Sequence, residues 1–582
     1  MSVHRPLHRP QALLLAVLGI IAIALGGPAS ALAGGSPTGV ANRSVDLQIL
    51  SINDFHGNLL PPGGSSGRIN VPDGSGGTTT VNAGGVTYLA SWLNQLRAGH
   101  DNTITVSAGD NIGASPLISG YFHDEPAIEA LNALDLQISS VGNHEFDEGP
   151  AELMRMQDGG CRPSTTTPPD SCPDHTFTGA DFEYLSANVV WHDTGQTLFP
   201  PYAIRNFDGA KVAFIGLTLE GTPSIVTPSG TAGLDFLDEA TTVNKYVDML
   251  QHKQHIQTFV VLLHQGGFQT GPSYVNDCQG ISGDIMPILA KLSSRVDVVL
   301  SGHTHQPYNC VLPNDQGHDM IVTSASSFGR VITDVDLKID RATGDVYQSS
   351  ADNVIVTRDV ATDPAEDAIV STYSNLIADV NNAVIGSVTD SLTRTANAAG
   401  EESLGDVIAD SQLDATSGPF GAQIALMNPG GIRADITCSG TPPCPVTFGD
   451  AFAVEPFGND MWIKDLTGDQ IRRILEQQFD NPSVGQTRFL QVSHGFSYTW
   501  SASAPVGAKI SNLELDGVPI DMSATYTVAG NAFLMAGGDN FTVLQEQPAY
   551  TVGMVDLDTL VSYFGANSPV APGPQDRYTM VP

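Results

Sequence analysis

Val296-Asp297-Val298-Val299-Leu300-Ser301-Gly302-His303-Thr304-His305 reads as a buried strand that runs straight into two histidines. Its Val and Leu residues are nearly continuous, as in a strand covered on both faces. Gly302 lets the chain turn, and the His-x-His spacing puts both imidazoles on one side of an extended strand end, because side chains alternate with a period of two. The same arrangement recurs upstream. Residues 45–52 end in Asn53-Asp54-Phe55-His56-Gly57, and 103–107 end in Ala108-Gly109-Asp110. Residues 136–141 end in Gly142-Asn143-His144-Glu145-Phe146-Asp147, and 258–263 end in His264. A further strand is read at 211–217, with amphipathic helical segments at 87–97 and 125–134. That alternation predicts a layered α/β domain. In open α/β sheets the carboxyl ends of strands converge on one crevice, so the polar clusters are expected to meet.

Singly, most of these clusters say little. A lone Asp-x-His is more often a solvated turn, and His264 alone is more often a satisfied core histidine. Gly142-Asn143-His144-Glu145 and Gly302-His303-Thr304-His305 are more specific, and the ordered set after successive strands points to a metal centre. Imidazoles and carboxylates suit Zn, Mn or Fe, and one carboxylate can bridge two ions. Net charge carries no weight in assigning function, since acidity is more often a solubility trait, but it bounds the ligands. With 25 Lys and Arg against 62 Asp and Glu the chain carries -37, which repels nucleic-acid backbones and anionic membranes. A phosphate ligand then needs local cations, and bound metals are the natural supply.

The ordered set resembles the calcineurin-like metallophosphoesterases, and more narrowly the secreted 5'-nucleotidase and UDP-sugar hydrolase family. The resemblance implies an α/β fold: a four-layer metallophosphoesterase-type β-sandwich flanked by helices, followed by a second α/β substrate-binding domain. It implies two divalent metal ions, Zn, Mn or similar. Asp54, His56, Asp110 and His305 would hold the first, and Asp110, Asn143, His264 and His303 the second, with Asp110 bridging. Many relatives have Gln or Asn where His305 stands. His144 and Asp147 match the family's catalytic dyad, His144 as donor to a phosphoryl oxygen and Asp147 as the group that orients it.

Past residue 345 the spacing predicts a linker helix over 363–384, within a linker region 346–385, and then a second α/β unit over 386–582. The first domain is expected over 44–345. In the second unit, Asn428-Pro429-Gly430-Gly431-Ile432-Arg433 is a turn that presents an arginine. Phe457 lies in the Glu455-Pro456-Phe457-Gly458-Asn459 loop, and Phe533 shortly precedes Gly537-Gly538-Asp539-Asn540-Phe541. Taken singly, either phenylalanine is more often core; two from separate loops could sandwich a flat base. The resemblance implies that Phe457 and Phe533 stack on the base and that Asp539 contacts the ribose. It also implies that Asn428 and Arg433 support the ribose or phosphate, with Asn459 beside Phe457 on the substrate side. Ser403-Leu404-Gly405-Asp406 departs from the family's usual run and a neighbouring arginine is absent, which leaves Arg394 as the nearest substitute.

The expected function is a secreted dinuclear-metal phosphohydrolase of 5'-nucleotidase type. On the same core, 2',3'-cyclic nucleotide phosphodiesterase and UDP-sugar hydrolase activities stay open. A sulfur-ester hydrolase is disfavoured by the aromatic pair. A non-catalytic nucleotide-binding surface protein is disfavoured by the intact ligand set and dyad.

The first 33 residues have a basic start, an apolar run over 13–25 and Ala31-Leu32-Ala33, the pattern of a cleaved secretory signal. No later stretch is apolar enough to span a membrane, so an exported protein without stable membrane insertion is expected. The 6 cysteines form sequence-local couples, Cys161 with Cys172, Cys278 with Cys310, and Cys438 with Cys444, expected as disulfides in an exported chain. Segments 63–85 and 163–178, rich in Gly, Ser and Thr, are expected as surface loops.

Overall fold

Within strand Ser44–Ile52, Val45, Leu47 and Ile49 enter one hydrophobic core while Leu50 and Ile52 enter another. Strand Thr258–His264 divides in the same way, with Val260 and Leu262 inward and Phe259, Val261 and Leu263 outward. Alternation on a period of two therefore builds three cores from two sheets. The computed structural model describes residues 43–479, 481 and 486–582, so the expected signal sequence lies outside the described residues.

The first sheet orders its strands Val346–Ile355, Val331–Asp340, Ser44–Ile52, Thr103–Ser107, Ile138–Ser140 and Glu183–Leu185. The second runs Tyr308–Pro313, Asp319–Ser324, Val296–Ser301, Thr258–His264, Ala210–Thr218 and Tyr202–Phe207. Their inner faces meet through residues such as Ile49, Val106, Phe214, Val260 and Leu300. Helices Val86–Arg97 and Glu125–Ala133 cover the outside of the first sheet through Leu89, Leu93, Ile128 and Leu131. Helices Glu239–Gln254 and Ile285–Lys291 cover the second through Val247, Leu250, Ile285 and Leu289. This is the expected four-layer α/β sandwich. The strands that carry the polar clusters run parallel within each sheet, so their carboxyl ends share one edge of the sandwich.

Helix Pro364–Asn381 follows, capped by the Asp363 carboxylate, which accepts from the N–H groups of Ala365 and Glu366. Its buried Tyr373 and Ile377 join the core of the first half. A second α/β unit then surrounds a mixed sheet ordered Gln491–Val492, Ile424–Met427, Thr525–Asn531, Asp460–Thr467 and Thr551–Val555. Helix Ser403–Phe420 packs on this sheet, and helix Asp556–Asn567 packs on Ser403–Phe420.

Three expectations need correction. Residues 346–355 are not linker: they form an edge strand paired with Val331–Asp340, because Val346 and Ile355 bracket a run that completes the sheet edge. The expected loop 63–85 contains a hairpin, Arg68–Pro72 with Thr78–Asn82, closed by an Asp73 carboxylate that accepts from the N–H groups of Ser75 and Gly77. The strand read at 136–141 is confined to Ile138–Ser140. Segment 163–178 contains no helix or strand. All three cysteine couples are disulfides, with Cα–Cα separations of 5.6, 5.2 and 5.4 Å. Among the described residues, no helix is long and apolar enough to cross a membrane.

Candidate active site

The chain leaves the parallel strands through left-handed backbone. Asp54, His56, Asp110, His303 and His305 all have φ between 47° and 72°, a region costly for any residue with a Cβ. Such strain persists only where surroundings over-determine it. Here backbone N–H groups and carboxylates supply the constraint. The His303 N–H donates to Asp54 at 3.0 Å, and the His144 N–H donates to Asp110 Oδ1 at 2.9 Å. Glu145 accepts from the N–H groups of Asp110 at 2.9 Å, Asn111 at 2.8 Å and Gly142 at 2.6 Å, tying two strand-end turns together. Gly142 must be glycine, since a Cβ there would lie 2.2 Å from Asp110 Oδ1.

These turns bring the expected ligands into two groups, Asp54 with His56 and His305, and Asp110 with His264 and His303; within each group the donor atoms lie within 4.8 Å of one another. Asp110 Oδ2 stands 3.0 Å from His264 Nε2 and 3.7 Å from His56 Nε2, so it faces both groups. Asn143 Oδ1 approaches His264 Nε2 at 3.2 Å and His303 Nδ1 at 2.9 Å.

Backbone carbonyls fix the imidazole tautomers. Nδ1 of His264 donates to the Ala108 carbonyl at 2.7 Å and Nδ1 of His56 to the Gly113 carbonyl at 2.8 Å. Each ring therefore turns its Nε2 inward, the arrangement found around bound metals. Burial works to lower His264, but the Asp110 carboxylate outweighs it and raises that ring to about 9, so a cation bound there would displace its proton. Nε2 of His56 faces Nε2 of His305 at 3.1 Å, with Asp54 Oδ1 3.3 Å from the latter. Burial pushes the His56 and His303 rings down to about 3, which keeps them in the neutral form that a ligand takes. Converging lone pairs and buried carboxylates fit divalent cations such as Zn or Mn.

His144 borders these groups without joining either. Its Nδ1 donates to Asp147 Oδ2 at 2.8 Å. Burial works to lower its pKa, but the carboxylates of Asp147 and Asp110 outweigh it and raise the ring above the ordinary histidine value.

The second half completes the cavity. A space of ≈ 200 Å³ is lined by Asn143, His144, Asp147 and His303 from one side and by Asn428, Arg433, Phe457, Asn459, Phe533 and Asp539 from the other. Phe457 stacks on His144, ring centroids 5.8 Å apart and planes 20° from parallel, and the Arg433 guanidinium lies 5.8 Å from the Phe457 ring centre. Asn428 Nδ2 donates to Asp539 Oδ2 at 3.1 Å. Arg394 does not line the cavity. Its Nε donates to Asp435 at 3.0 Å and its guanidinium to the Arg433 carbonyl at 2.8 Å, so it braces the arginine turn from behind. Asp406 is likewise remote, buried beside Arg577. Sequence reasoning missed Arg488, which lines the cavity and pairs with Asp539, and Asn531, which donates to Asn428 Oδ1 at 2.9 Å. It also gave Glu145 no role, although that residue sits inside the quoted motif. A second space of ≈ 770 Å³ opens on the metal-competent residues from another direction, lined by Asp110, His303, His305, Phe268, Glu220, Asp238 and Lys291 among others.

A two-sheet sandwich with paired His/Asp clusters at its parallel strand ends defines the class of metal-dependent phosphohydrolases built on the metallophosphoesterase fold. Comparison with known proteins narrows it. Residues 47–307 match the calcineurin-like phosphoesterase family and residues 384–546 the 5'-nucleotidase C-terminal domain. The chain is 33% identical to cell wall protein Lmo0130 of Listeria monocytogenes over 91% of this chain and 68% of that protein. It is 31% identical to endonuclease YhcR of Bacillus subtilis over 89% of this chain but only 39% of that protein's length. The crystal structure of a 5'-nucleotidase precursor from Thermus thermophilus superposes with a TM-score of 0.73 at 27% identity, covering 92% of this chain and 99% of that one. The chain belongs to the family of calcineurin-like phosphoesterases that carry a 5'-nucleotidase C-terminal domain.

Proposed function

We propose that this protein is an exported 5'-nucleotidase-type phosphohydrolase that converts nucleoside monophosphates to nucleoside and phosphate. One observation carries the reading: a single cavity has His144, Asp147 and His303 on one wall and Arg433, Phe457, Phe533 and Asp539 on the other. Asp54, His56 and His305 would hold one divalent ion and Asn143, His264 and His303 the other, with Asp110 facing both. When bound, two such ions supply an activated water and charge neutralisation for the phosphoryl group.

The chain's own residues do the rest. His144, protonated and oriented by Asp147, donates to a phosphoryl oxygen where charge develops. Arg433 sets its fork of donors beside the same position and cannot lose its proton there. Phe457 and Phe533 offer apolar faces to the base, worth roughly 1–3 kcal/mol per stacked base. Asp539, buried and held by Arg488 and Asn428, accepts from ribose hydroxyls. Remote binding energy of this kind lowers the barrier only if it positions the phosphate, which the shared cavity allows. The basic, then apolar, leader over 1–33 supports export to the cell exterior or periplasm.

The larger second cavity favours a second reading on the same core. Carboxylates and an exposed aromatic beside the metal-competent residues suit a hydroxyl-rich group attached through a diphosphate, as in UDP-sugars. Purified protein should be assayed on AMP, ADP, ATP, UDP-glucose and 2',3'-cyclic AMP, with and without chelator. Chelator-sensitive release of adenosine and phosphate from AMP is the expected result. Hydrolysis of no nucleotide in the panel, with metal added, would sink the proposal.

A further inference from the structure

The loop 455–459, which carries Phe457 and Asn459, is anchored on buried acids that the proposed chemistry does not use. Glu455 ends helix Phe448–Val454 at 1% exposure, with the buried Gln412 side chain as its polar neighbour. Asp556, at 2% exposure, opens helix Asp556–Asn567. Its Oδ1 accepts from the Leu557 N–H at 2.8 Å, and its Oδ2 from Asn459 Nδ2 at 3.3 Å. Its own N–H donates to the Asn459 carbonyl at 2.8 Å. Around them lie Ala451, Val454, Leu557 and Leu560, all core residues. Asp556 is the charged group nearest in effect to Glu455, and Asp460 is its own acidic neighbour.

An acid in an apolar setting is costly and is retained only where it is useful or firmly partnered. Here the partner of Asp556 is the end of a loop whose other end is Glu455, and whose tip packs on His144. We infer that Asp556 is a positioning residue that fixes the 455–459 loop and thereby sets how tightly a nucleotide is held. It acts through Asn459 and Phe457 and does not line the substrate cavity. This rests on the nucleotide reading above and deepens it.

The effect is read as a split between KM and kcat, with loop order measured separately. Asp556→Ala removes the side-chain acceptors for Asn459 Nδ2 and the Leu557 N–H, and leaves the loop end held only by the backbone hydrogen bond from residue 556 to the Asn459 carbonyl. It should raise KM for AMP about tenfold, keep kcat at saturation within about threefold, and speed hydrogen exchange at the amides of residues 457–459. Asp556→Asn keeps an oxygen acceptor and should return KM to within about threefold of the parent. If Asp556→Ala does not fold, Asp556→Ser retains an acceptor for the Leu557 N–H but is too short to reach Asn459, and carries the same expectations. Unchanged KM, or loss of kcat with KM unchanged, overturns the inference, as does unchanged loop exchange. If Phe533→Ala leaves KM for AMP unaltered while Asp556→Ala still loosens the loop and raises KM, the base-stacking reading fails and the positioning role stands.

Discussion

The two walls of the cavity are built on different terms. The wall from the first half consists of strand ends in left-handed backbone, tied by carboxylates that accept backbone N–H groups across turns distant in sequence. Asp54, His56, Asp110 and His264 are each 0–1% exposed. The wall from the second half is made of a turn, a loop and helix ends, where Phe457 and Phe533 remain partly open to solvent. A metal site needs donor atoms fixed within fractions of an ångström, and only an over-determined backbone provides that. A base-binding surface needs area and an approximate angle, which loops supply. The difference teaches where chemistry and selectivity should separate on mutation: the strand-end wall should control turnover, the loop wall substrate preference.

The hardest test of that division is Asp110→Asn. Asp110 faces both ligand groups, so the variant should lose metal, read by elemental mass spectrometry, and more than about 10³-fold in turnover on every substrate. His305→Gln should lose less, because glutamine still offers an oxygen. Greater damage from His305→Gln than from Asp110→Asn would reverse the ligand assignment. His144→Ala comes next. It should lower kcat by roughly 10²–10³ with both metals retained, as expected for a donor aimed at the transition state. Metal loss from this variant would make His144 a ligand.

Effects on the loop wall should be smaller and selective. Phe533→Ala should lower kcat/KM for AMP by roughly 5–150-fold, the equivalent of about 1–3 kcal/mol of stacking, and should cost p-nitrophenyl phosphate much less. Phe457→Ala is a less clean probe because its ring packs on His144, so some loss on the artificial ester is expected as well. Equal loss on both substrates for Phe533→Ala would show that its ring is ordinary packing.

How much of this was legible in the sequence follows from the same contrast. Ligand-type residues at strand ends were readable because strand and turn are local. The extended, period-two geometry expected for Asp54-x-His56 and His303-x-His305 does not place them, since all four lie past the strand ends in left-handed backbone and His303 and His305 enter different groups. The sandwich was readable because runs such as Thr258–His264 are apolar on both faces. What lay beyond reach was anything decided across the chain. Arg394 stood nearest in sequence to the missing arginine, yet folding turns it to the back of the Arg433 turn, while Arg488, in a segment without a motif, reaches Asp539. Glu145 was visible as a letter in the Gly142–Asp147 run, but its task depends on N–H groups some 35 residues away. The hairpin Arg68–Pro72 with Thr78–Asn82 was hidden by a Gly/Ser/Thr-rich composition that reads as loop.

The smallest expected effect concerns the helix between the two halves. Glu366 lies in the first turn of Pro364–Asn381 at 0% exposure, with neither carboxylate oxygen hydrogen-bonded. Burial, reinforced by Asp363, pushes its pKa from 4.5 up to about 9. The native state thus holds a proton that the unfolded chain releases above its own, lower value. The stability this confers is fully present below pH 4.5 and is lost as pH rises through about 9. Glu366→Gln mimics the protonated acid and does not titrate. The variant should match the parent near pH 4.5 and exceed its Tm by a few degrees at pH 8–9, with the gap growing steadily between. If the helix is seated on the first half as Tyr373 and Ile377 suggest, the effect should appear as a shift of the whole unfolding transition with kcat on AMP at 25 °C unchanged. A Tm difference that stays constant from pH 5 to pH 9 would show that Glu366 finds solvent or a partner, and that this end of the helix is not sealed against the rigid half.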